Sequence, residues 1–264
     1  MSIVYACIVP HTPVLVPTIG REYYQKLKAT TDALAAVRIS LTNAAPETIV
    51  ICAPHARAHE QRNPTLHVPA VYRSNFSEFG DIVTTAEYQP DTVVADAIKN
   101  TLNEAKISVV YESDAELEYG ASVPLQHLGL TPLPKIVVLH PGESETLKES
   151  GHIGMAVQRA LQASPKRIAL IASGDLSHCL TENAPGGLNP AAVHFEKEML
   201  SMIKAGRLKK LQKIDSALLR EYGVCGAAPI AMLYGALEHM TITPNFLSYE
   251  HPLGVGNIVM EFCL

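Results

Sequence analysis

Short apolar runs alternate with longer amphipathic stretches along most of the chain. The apolar runs predict buried β-strands, at residues 2–9, 48–53, 65–71, 82–87, 107–111, 135–139, 167–172, 242–249 and 257–262. Apolar positions at helical spacing predict helices at residues 21–41, 90–105, 146–163, 190–205 and 226–237. Asn189 before Pro190 is a typical helix start, because an Asn side chain caps free N–H groups and proline suits the first helical position.

Strand–helix alternation of this kind is typical of an α/β fold. We expect a central, largely parallel or mixed sheet flanked by helices, with the last two strands adding antiparallel edges. No repeat, linker or shift in composition divides the sequence, so one domain over residues 1–264 is predicted. In such sheets ligands bind in a crevice at the carboxyl ends of the strands.

Charge and cysteine content exclude several classes of protein. The net charge of −5 leaves no basic excess for binding nucleic acid through its phosphates. The apolar, uncharged stretch at residues 222–237 contains Pro229 and is too short for the ~20 residues that span a bilayer. The five cysteines are scattered, and the first residues lack the basic region of a secretory signal, so we expect a reduced, cytoplasmic protein.

Four histidines follow predicted strands directly: His11, His55, His140 and His178. If these strands are parallel neighbours, the four imidazoles surround one crevice. The remaining histidines lack such a context and are predicted to be surface or packing residues. They are His59, His67, His127, His152, His194, His239 and His251.

His11 and His55 share a sequence context that favours metal binding. Each follows an apolar strand and a proline, which fixes the direction of the chain before the imidazole. A metal ligand needs an orientation fixed in this way. We therefore predict that His11 and His55 bind one metal ion.

The segment that ends in His178 contains a second set of candidate functional residues. Gly174 allows a close backbone approach at the end of the strand, and Asp175 follows it. An imidazole near a carboxylate is suited to acid–base work near neutral pH. Asp175 and His178 are therefore candidate catalytic residues.

A metal held by two histidines needs a third ligand, and the sequence offers Glu221 and Cys225. Glu221 would complete the two-histidine, one-carboxylate set of non-haem Fe(II) oxygenases. Cys225 would suit zinc or another thiophilic metal. The two residues would share a helix face if this segment were helical. Cys225 is the preferred prediction.

These residues resemble the catalytic-subunit (LigB-like) family of class III extradiol ring-cleavage dioxygenases and the related Memo-type proteins. The resemblance spans nearly the whole chain and rests on an ordered set of segments. They are PHTPVLVP, APHARAH, EYGASVPL, SGDLSH, CGAAPIAMLYGAL and SYEHPLGVG.

The resemblance implies roles for individual residues. His11 and His55 match the metal ligands of the dioxygenases, and His178 matches their acid–base residue. Tyr119 replaces the histidine of an Asp-His-Gly segment, and its phenol could donate a hydrogen bond to a ring-bound oxygen or to O₂. Asp175 and Cys225 match the Memo-type branch, in which the cysteine joins the two histidines.

The resemblance implies an Fe(II) dioxygenase that opens a catechol- or aminophenol-type ring, with zinc or copper as alternative metals. The second hypothesis is a Memo-like metal-binding protein without ring cleavage. A third is a non-catalytic partner subunit, although the presence of His11, His55 and His178 argues against full degeneracy. The expected partners are a small aromatic substrate, O₂ and a second subunit, either identical or homologous, without nucleic acid or membrane.

Overall fold

A mixed sheet of eight strands lies at the centre of the computed structural model, and two further strands pair in a separate small sheet. The structure describes residues 2–56, 63–142 and 146–264. The strands are β1 (Ile3–Val9), β2 (Thr48–Cys52), β3 (Thr65–His67), β4 (Tyr72–Phe76), β5 (Asp81–Tyr88), β6 (Val110–Glu112), β7 (Lys135–His140), β8 (Ile168–Ser173), β9 (Thr243–Glu250) and β10 (Asn257–Cys263). The helices are α1 (Pro17–Gly20), α2 (Lys28–Ala44), α3 (Thr92–Glu104), α4 (Tyr119–Leu128), α5 (Leu147–Ala163), α6 (Pro190–Lys204), α7 (Leu208–Leu211), α8 (Ser216–Glu221) and α9 (Ala227–Ala236).

The strand order of the sheet is β6-β3-β7-β2-β8-β1-β10-β9. The four central strands β7, β2, β8 and β1 are parallel neighbours, so their carboxyl ends meet at one edge of the sheet. β3 runs antiparallel to β7, and β10 and β9 add antiparallel strands beyond β1. The predicted α/β fold with a largely parallel or mixed sheet is confirmed.

Both faces of the sheet are covered, which explains why its central strands are continuous apolar runs. Along β2, Ile49 and Ile51 pack into the core on one face, with α2 and α4. Val50 and Cys52 point the other way, into the core shared with α3, α5 and α9. The alternation places a hydrophobic layer on each side of the sheet.

The helix predicted at residues 226–237 is observed as α9, which is apolar on all sides and buried. It packs against α5 so closely that a Cβ on Gly235 would lie 2.9 Å from the carbonyl carbon of Gly151. A helix that is apolar all round is buried in a core. Within the described part of the chain, no helix combines the length and apolar character needed to cross a membrane.

Several segments differ from the sequence prediction. The strand expected at residues 65–71 ends at His67, and β4 and β5 form a separate two-stranded sheet. The helix expected from Arg21 begins as a 3₁₀ segment and becomes α-helical at Lys28. Helix α4 was not predicted, because it contains Pro124, which sequence rules count against a helix interior.

Candidate metal centre

The carboxyl ends of β1 and β2 and the turn before α9 bring three ligand-type side chains together. One ligand atom each from His11, His55 and Cys225 lies within 4.8 Å of the others. The parallel strands β1, β8 and β2 are adjacent, so the turns that follow them converge. The structure thus brings together the three residues that the sequence suggested as metal ligands.

His140 does not join this group, contrary to the expectation of four imidazoles around one crevice. It ends β7 and lies in a second cluster with His67 and Glu112. The prediction failed because β3 pairs with β7 on the side away from β2. This pairing places His140 opposite Thr65 and beside the ring of His67. His67, expected at the surface or in packing, is buried in that cluster. His59 lies outside the described residues.

Hydrogen bonds fix which nitrogen of His11 can bind a metal. The Ser173 hydroxyl donates to the carbonyl oxygen of Gly120, so it accepts from Nδ1 of His11, 3.2 Å away. Nδ1 therefore carries the ring proton, and Nε2 keeps its lone pair. That Nε2 lies 3.4 Å from the Cys225 sulfur. An imidazole oriented in this way is prepared for ligation.

Cys225 reaches the two histidines because the turn before α9 packs against the end of β8. A Cβ on Gly226 would lie 2.8 Å from the carbonyl carbon of Gly174, so the two backbones touch. The Gly226 N–H donates to the carbonyl oxygen of Asp175 at 2.8 Å, and the Cys225 sulfur lies 3.5 Å from the same oxygen. The close glycine contact thereby sets the position of the thiol.

Glu221, the alternative third ligand, is not part of the group. Helix α8 ends at Glu221, and the chain turns at Gly223, whose φ of +65° suits glycine. The Glu221 side chain is exposed and accepts a long hydrogen bond from Nδ2 of Asn189 at 3.5 Å. Because the turn interrupts the helix, Glu221 and Cys225 do not share a helix face.

The protonation states of the three side chains fit a metal ion. Burial lowers the pKa of His11 to about 3 and that of His55 to about 4, so both imidazoles are neutral at pH 7, as ligands must be. Burial raises the pKa of the Cys225 thiol. A bound metal would displace that proton and hold the thiolate. Two imidazoles and one thiolate form a donor set suited to borderline divalent metals.

Asp175 lies behind the metal ligands and is 2% exposed. Its Oδ1 accepts a hydrogen bond from the backbone N–H of His11 at 2.9 Å, and its Oδ2 lies 3.8 Å from Nε2 of the same residue. Burial raises the pKa of the Asp175 carboxyl. These contacts position the turn that carries His11, and Asp175 does not line the neighbouring cavity.

A cavity of about 450 Å³ opens beside the group, within the size range of small-molecule sites. Its walls include His55, Tyr119, His178, Arg220 and Cys225. Nδ1 of His178 donates to the carbonyl oxygen of Gly223, so its Nε2 keeps a lone pair. His178 therefore offers a proton acceptor beside the candidate ligands.

Tyr119 begins α4 and packs against both candidate histidine ligands. Its ring stacks on His55 with centroids 5.4 Å apart and meets the edge of His11 at the same distance. Burial and nearby negative groups raise the pKa of its hydroxyl, which therefore stays protonated and can donate a hydrogen bond. Sequence patterns did not single out Arg220, because it belongs to no motif and its place at the cavity depends on how distant segments pack. Ser173 opens the SGDLSH segment, but its hydrogen bond with His11 depends on the pairing of β1 with β8.

Comparisons with known proteins agree with this fold. Protein CA_C1420 of Clostridium acetobutylicum is 31% identical, over 96% of this chain and 56% of that protein. This chain therefore spans little more than half the length of that relative. The crystal structure of the uncharacterized protein JW3007 from Escherichia coli K12 matches with a TM-score of 0.69. It covers 99% of this chain and 100% of that chain at 15% identity, which shows a shared fold.

A family profile described as the catalytic LigB subunit of aromatic ring-opening dioxygenase matches residues 5–260. The match includes most of β1 with the turn to His11, the segment around Tyr119, and the turn that carries Cys225. It thus covers nearly the whole chain. The chain therefore belongs to the LigB family of aromatic ring-opening dioxygenase catalytic subunits.

Proposed function

We propose that this protein is a non-haem Fe(II)-dependent, extradiol-type dioxygenase that opens a catechol- or aminophenol-type ring. The observation that carries the proposal is that His55, Cys225 and His178 line one cavity, with His11 directly behind. His11, His55 and Cys225 would hold the metal. A divalent iron bound by three protein ligands supplies open coordination positions for a substrate oxygen and for O₂.

His178 is the acid–base residue of this proposal. The Gly223 carbonyl oxygen holds its Nδ1 proton, which leaves Nε2 to take a proton from a hydroxyl of the substrate. The same nitrogen then returns the proton to the opening ring. Because the bond to Gly223 fixes the tautomer, the imidazole needs no rearrangement between the two transfers.

Tyr119 is a hydrogen-bond donor beside the candidate metal ligands. Its phenol is protonated at neutral pH, and burial raises its pKa further above the ordinary value. Stacking on His55 holds the ring beside the candidate metal ligands, and Tyr119 lines the same cavity as His178. It would orient a substrate oxygen or O₂ by donating a hydrogen bond.

Arg220 favours a substrate with an anionic substituent. Among the described residues that line the cavity, Arg220 carries the one permanent positive charge. Guanidinium groups bind carboxylates through paired hydrogen bonds. We therefore propose that the aromatic substrate carries a carboxylate that binds Arg220.

Cys225 supports a second candidate, a Memo-like protein that binds zinc or copper and does not cleave rings. A thiolate ligand favours a softer metal than a carboxylate does. The thiol lies 3.4 Å from Nε2 of His11, which is consistent with a place in the ligand set. In this candidate His178 would have no proton to transfer, and Tyr119 would have no reacting oxygen to orient.

Reconstitution separates the two candidates. Metal-free protein is loaded anaerobically with Fe(II), Zn²⁺ or Cu²⁺, and O₂ uptake is followed with a panel of catechols and aminophenols with and without carboxylates. The dioxygenase proposal expects O₂ uptake and ring-opened product with Fe(II), both lost in His11→Ala. Stoichiometric metal binding without O₂ uptake for any metal would favour the Memo-like candidate.

We also propose a cytoplasmic location and a second subunit, identical or homologous. The five cysteines are free thiols, which suits a reducing compartment. Light scattering of the purified chain tests self-association, and a monomeric mass would leave the homologous partner as the remaining arrangement.

A further inference from the structure

A second cluster of metal-ligand side chains lies on three neighbouring strands, β7, β3 and β6, which extend the sheet beyond β2. One ligand atom each from His67, Glu112 and His140 lies within 4.8 Å of the others. They belong to β3, β6 and β7, and none of the three lines the cavity beside Tyr119. The cluster is therefore separate from the candidate dioxygenase centre.

Strand register explains why these three side chains meet. His67 is the direct partner of Glu112 in the parallel pair of β3 and β6. His140 is the partner of Thr65 in the antiparallel pair of β3 and β7. Because residues two apart on a strand point to the same face, His67 and His140 share a face with Glu112. The grouping is thus a property of the sheet.

Both imidazoles have one nitrogen committed to a backbone carbonyl. Nδ1 of His140 donates to the oxygen of Ala53 at 3.0 Å, and Nε2 of His67 donates to the oxygen of Asp114. A carbonyl oxygen only accepts, so each ring keeps a lone pair on its other nitrogen. Metal-binding histidines typically have this arrangement, because the carbonyl bond fixes both tautomer and orientation.

The surroundings hold the two rings in place and keep His140 neutral. His67 is 2% exposed and His140 1% exposed. Tyr72 packs edge-on against His67 with ring centroids 5.1 Å apart, and its hydroxyl donates to the His67 carbonyl oxygen. Burial lowers the pKa of His140 to about 3, so a proton does not compete for its lone pair at neutral pH.

We propose that His67, Glu112 and His140 form a second binding site for a divalent metal ion, Zn²⁺ by its donor set. Two imidazoles and one carboxylate are a common zinc ligand set, with water in the fourth position. Ligands about 2.1 Å from a tetrahedral ion lie roughly 3.4 Å apart. The three ligand atoms would therefore have to move about 1 Å closer together to bind the ion.

A metal here would fasten the edge of the sheet. β3 and β6 have three residues each, and short strands contribute few hydrogen bonds of their own. An ion shared by His67, Glu112 and His140 ties both strands to β7. The residues after β7, Pro141 and Gly142, line the cavity of the first centre. The bound ion would therefore also stabilise one wall of that cavity.

Zinc stoichiometry of matched variants tests the proposal. Metal-free protein is saturated with Zn²⁺, desalted and analysed by mass spectrometry. Glu112→Gln removes the carboxylate of the second site with little change in shape. Cys225→Ser removes the thiolate of the first centre. Glu104→Gln, an exposed change on α3, is the control. We expect two equivalents in the wild type and control, and at least half of one equivalent lost in Glu112→Gln.

Co²⁺ loading identifies which site is lost in each variant. The first centre has a sulfur ligand and gives a thiolate-to-cobalt band, whereas the second has none. Glu112→Gln should keep that band, and Cys225→Ser should lose the band while retaining one bound Co²⁺. Wild-type protein with one equivalent that is insensitive to Glu112→Gln overturns the second site. Loss of metal in Glu112→Gln with no effect of Cys225→Ser would instead overturn the first centre alone.

Discussion

The backbones of Gly174 and Gly226 touch, and their contact holds Asp175 and Cys225 side by side. Gly174 follows β8 and Gly226 precedes α9, so the contact joins two segments that are far apart in sequence. A Cβ on Gly226 would lie 2.8 Å from the Gly174 carbonyl carbon, closer than such atoms approach in proteins. The position of the Cys225 thiol beside His11 thus depends on two residues without side chains.

Gly174→Ala should move Cys225 away from the histidines. The added methyl overlaps Gly226, and relief of the overlap costs roughly 1–3 kcal/mol of unfolding free energy. We expect bound metal to fall below half of the wild-type content. Gly80→Ala is the control, because a Cβ there meets nothing within 4 Å and only its φ of +81° opposes the change. Equal metal loss in both variants would contradict the steric explanation.

His178→Asn should slow turnover and leave the metal bound. Asparagine can still donate to the Gly223 carbonyl oxygen, so the turn keeps its hydrogen bond while the basic nitrogen is lost. Loss of a general acid–base group reduces turnover by roughly 10²–10⁴-fold. Steady-state O₂ uptake and metal analysis of the same sample test this. Metal lost together with activity would instead make His178 a ligand.

Arg220→Ala should weaken binding of carboxylated substrates. Removing the guanidinium takes away a charge-assisted contact, and we expect KM to rise about 10-fold with little change in kcat. A substrate without a carboxylate is the control within the same protein, since its KM should stay near the wild-type value. A similar rise in KM for both substrates would indicate a general change in the cavity.

Glu196 should make the protein less stable as the pH rises. The Glu196 carboxyl is 2% exposed, and burial raises its pKa from 4.5 to about 7, although the Ser177 N–H and the Tyr249 hydroxyl donate to it. The folded state therefore favours the protonated form. Its stabilising contribution is full below about pH 4.5 and is lost as the pH rises through about 7.

Glu196→Gln tests this dependence by chemical unfolding between pH 5 and pH 8. The shift of the pKa corresponds to about 3 kcal/mol at most, so the wild type should lose roughly 1–3 kcal/mol over this range. The variant should lose less. Glu104→Gln, an exposed change on α3, should retain the wild-type slope. Parallel curves for wild type and Glu196→Gln would refute the prediction.

The strand-end histidines show how far the sequence could predict the site. The apolar runs before His11 and His55 marked parallel strands, and parallel strands end at one edge of the sheet. The pairing of His140 with the β3 residues could not be predicted, because β3 is a three-residue strand whose partner is set by tertiary packing. The choice between Glu221 and Cys225 likewise could not be made from the sequence, because it depends on the turn at Gly223 that follows α8.

X-ray absorption of the metal-loaded protein tests the central claim that His11, His55 and Cys225 bind one divalent metal. Glu112→Gln is the sample of choice, because it should carry metal at this centre alone. We predict one sulfur at about 2.3 Å and two imidazole nitrogens at about 2.0–2.1 Å from the metal, with the sulfur lost in Cys225→Ser. A shell of oxygen and nitrogen without sulfur, unchanged in Cys225→Ser, would contradict it.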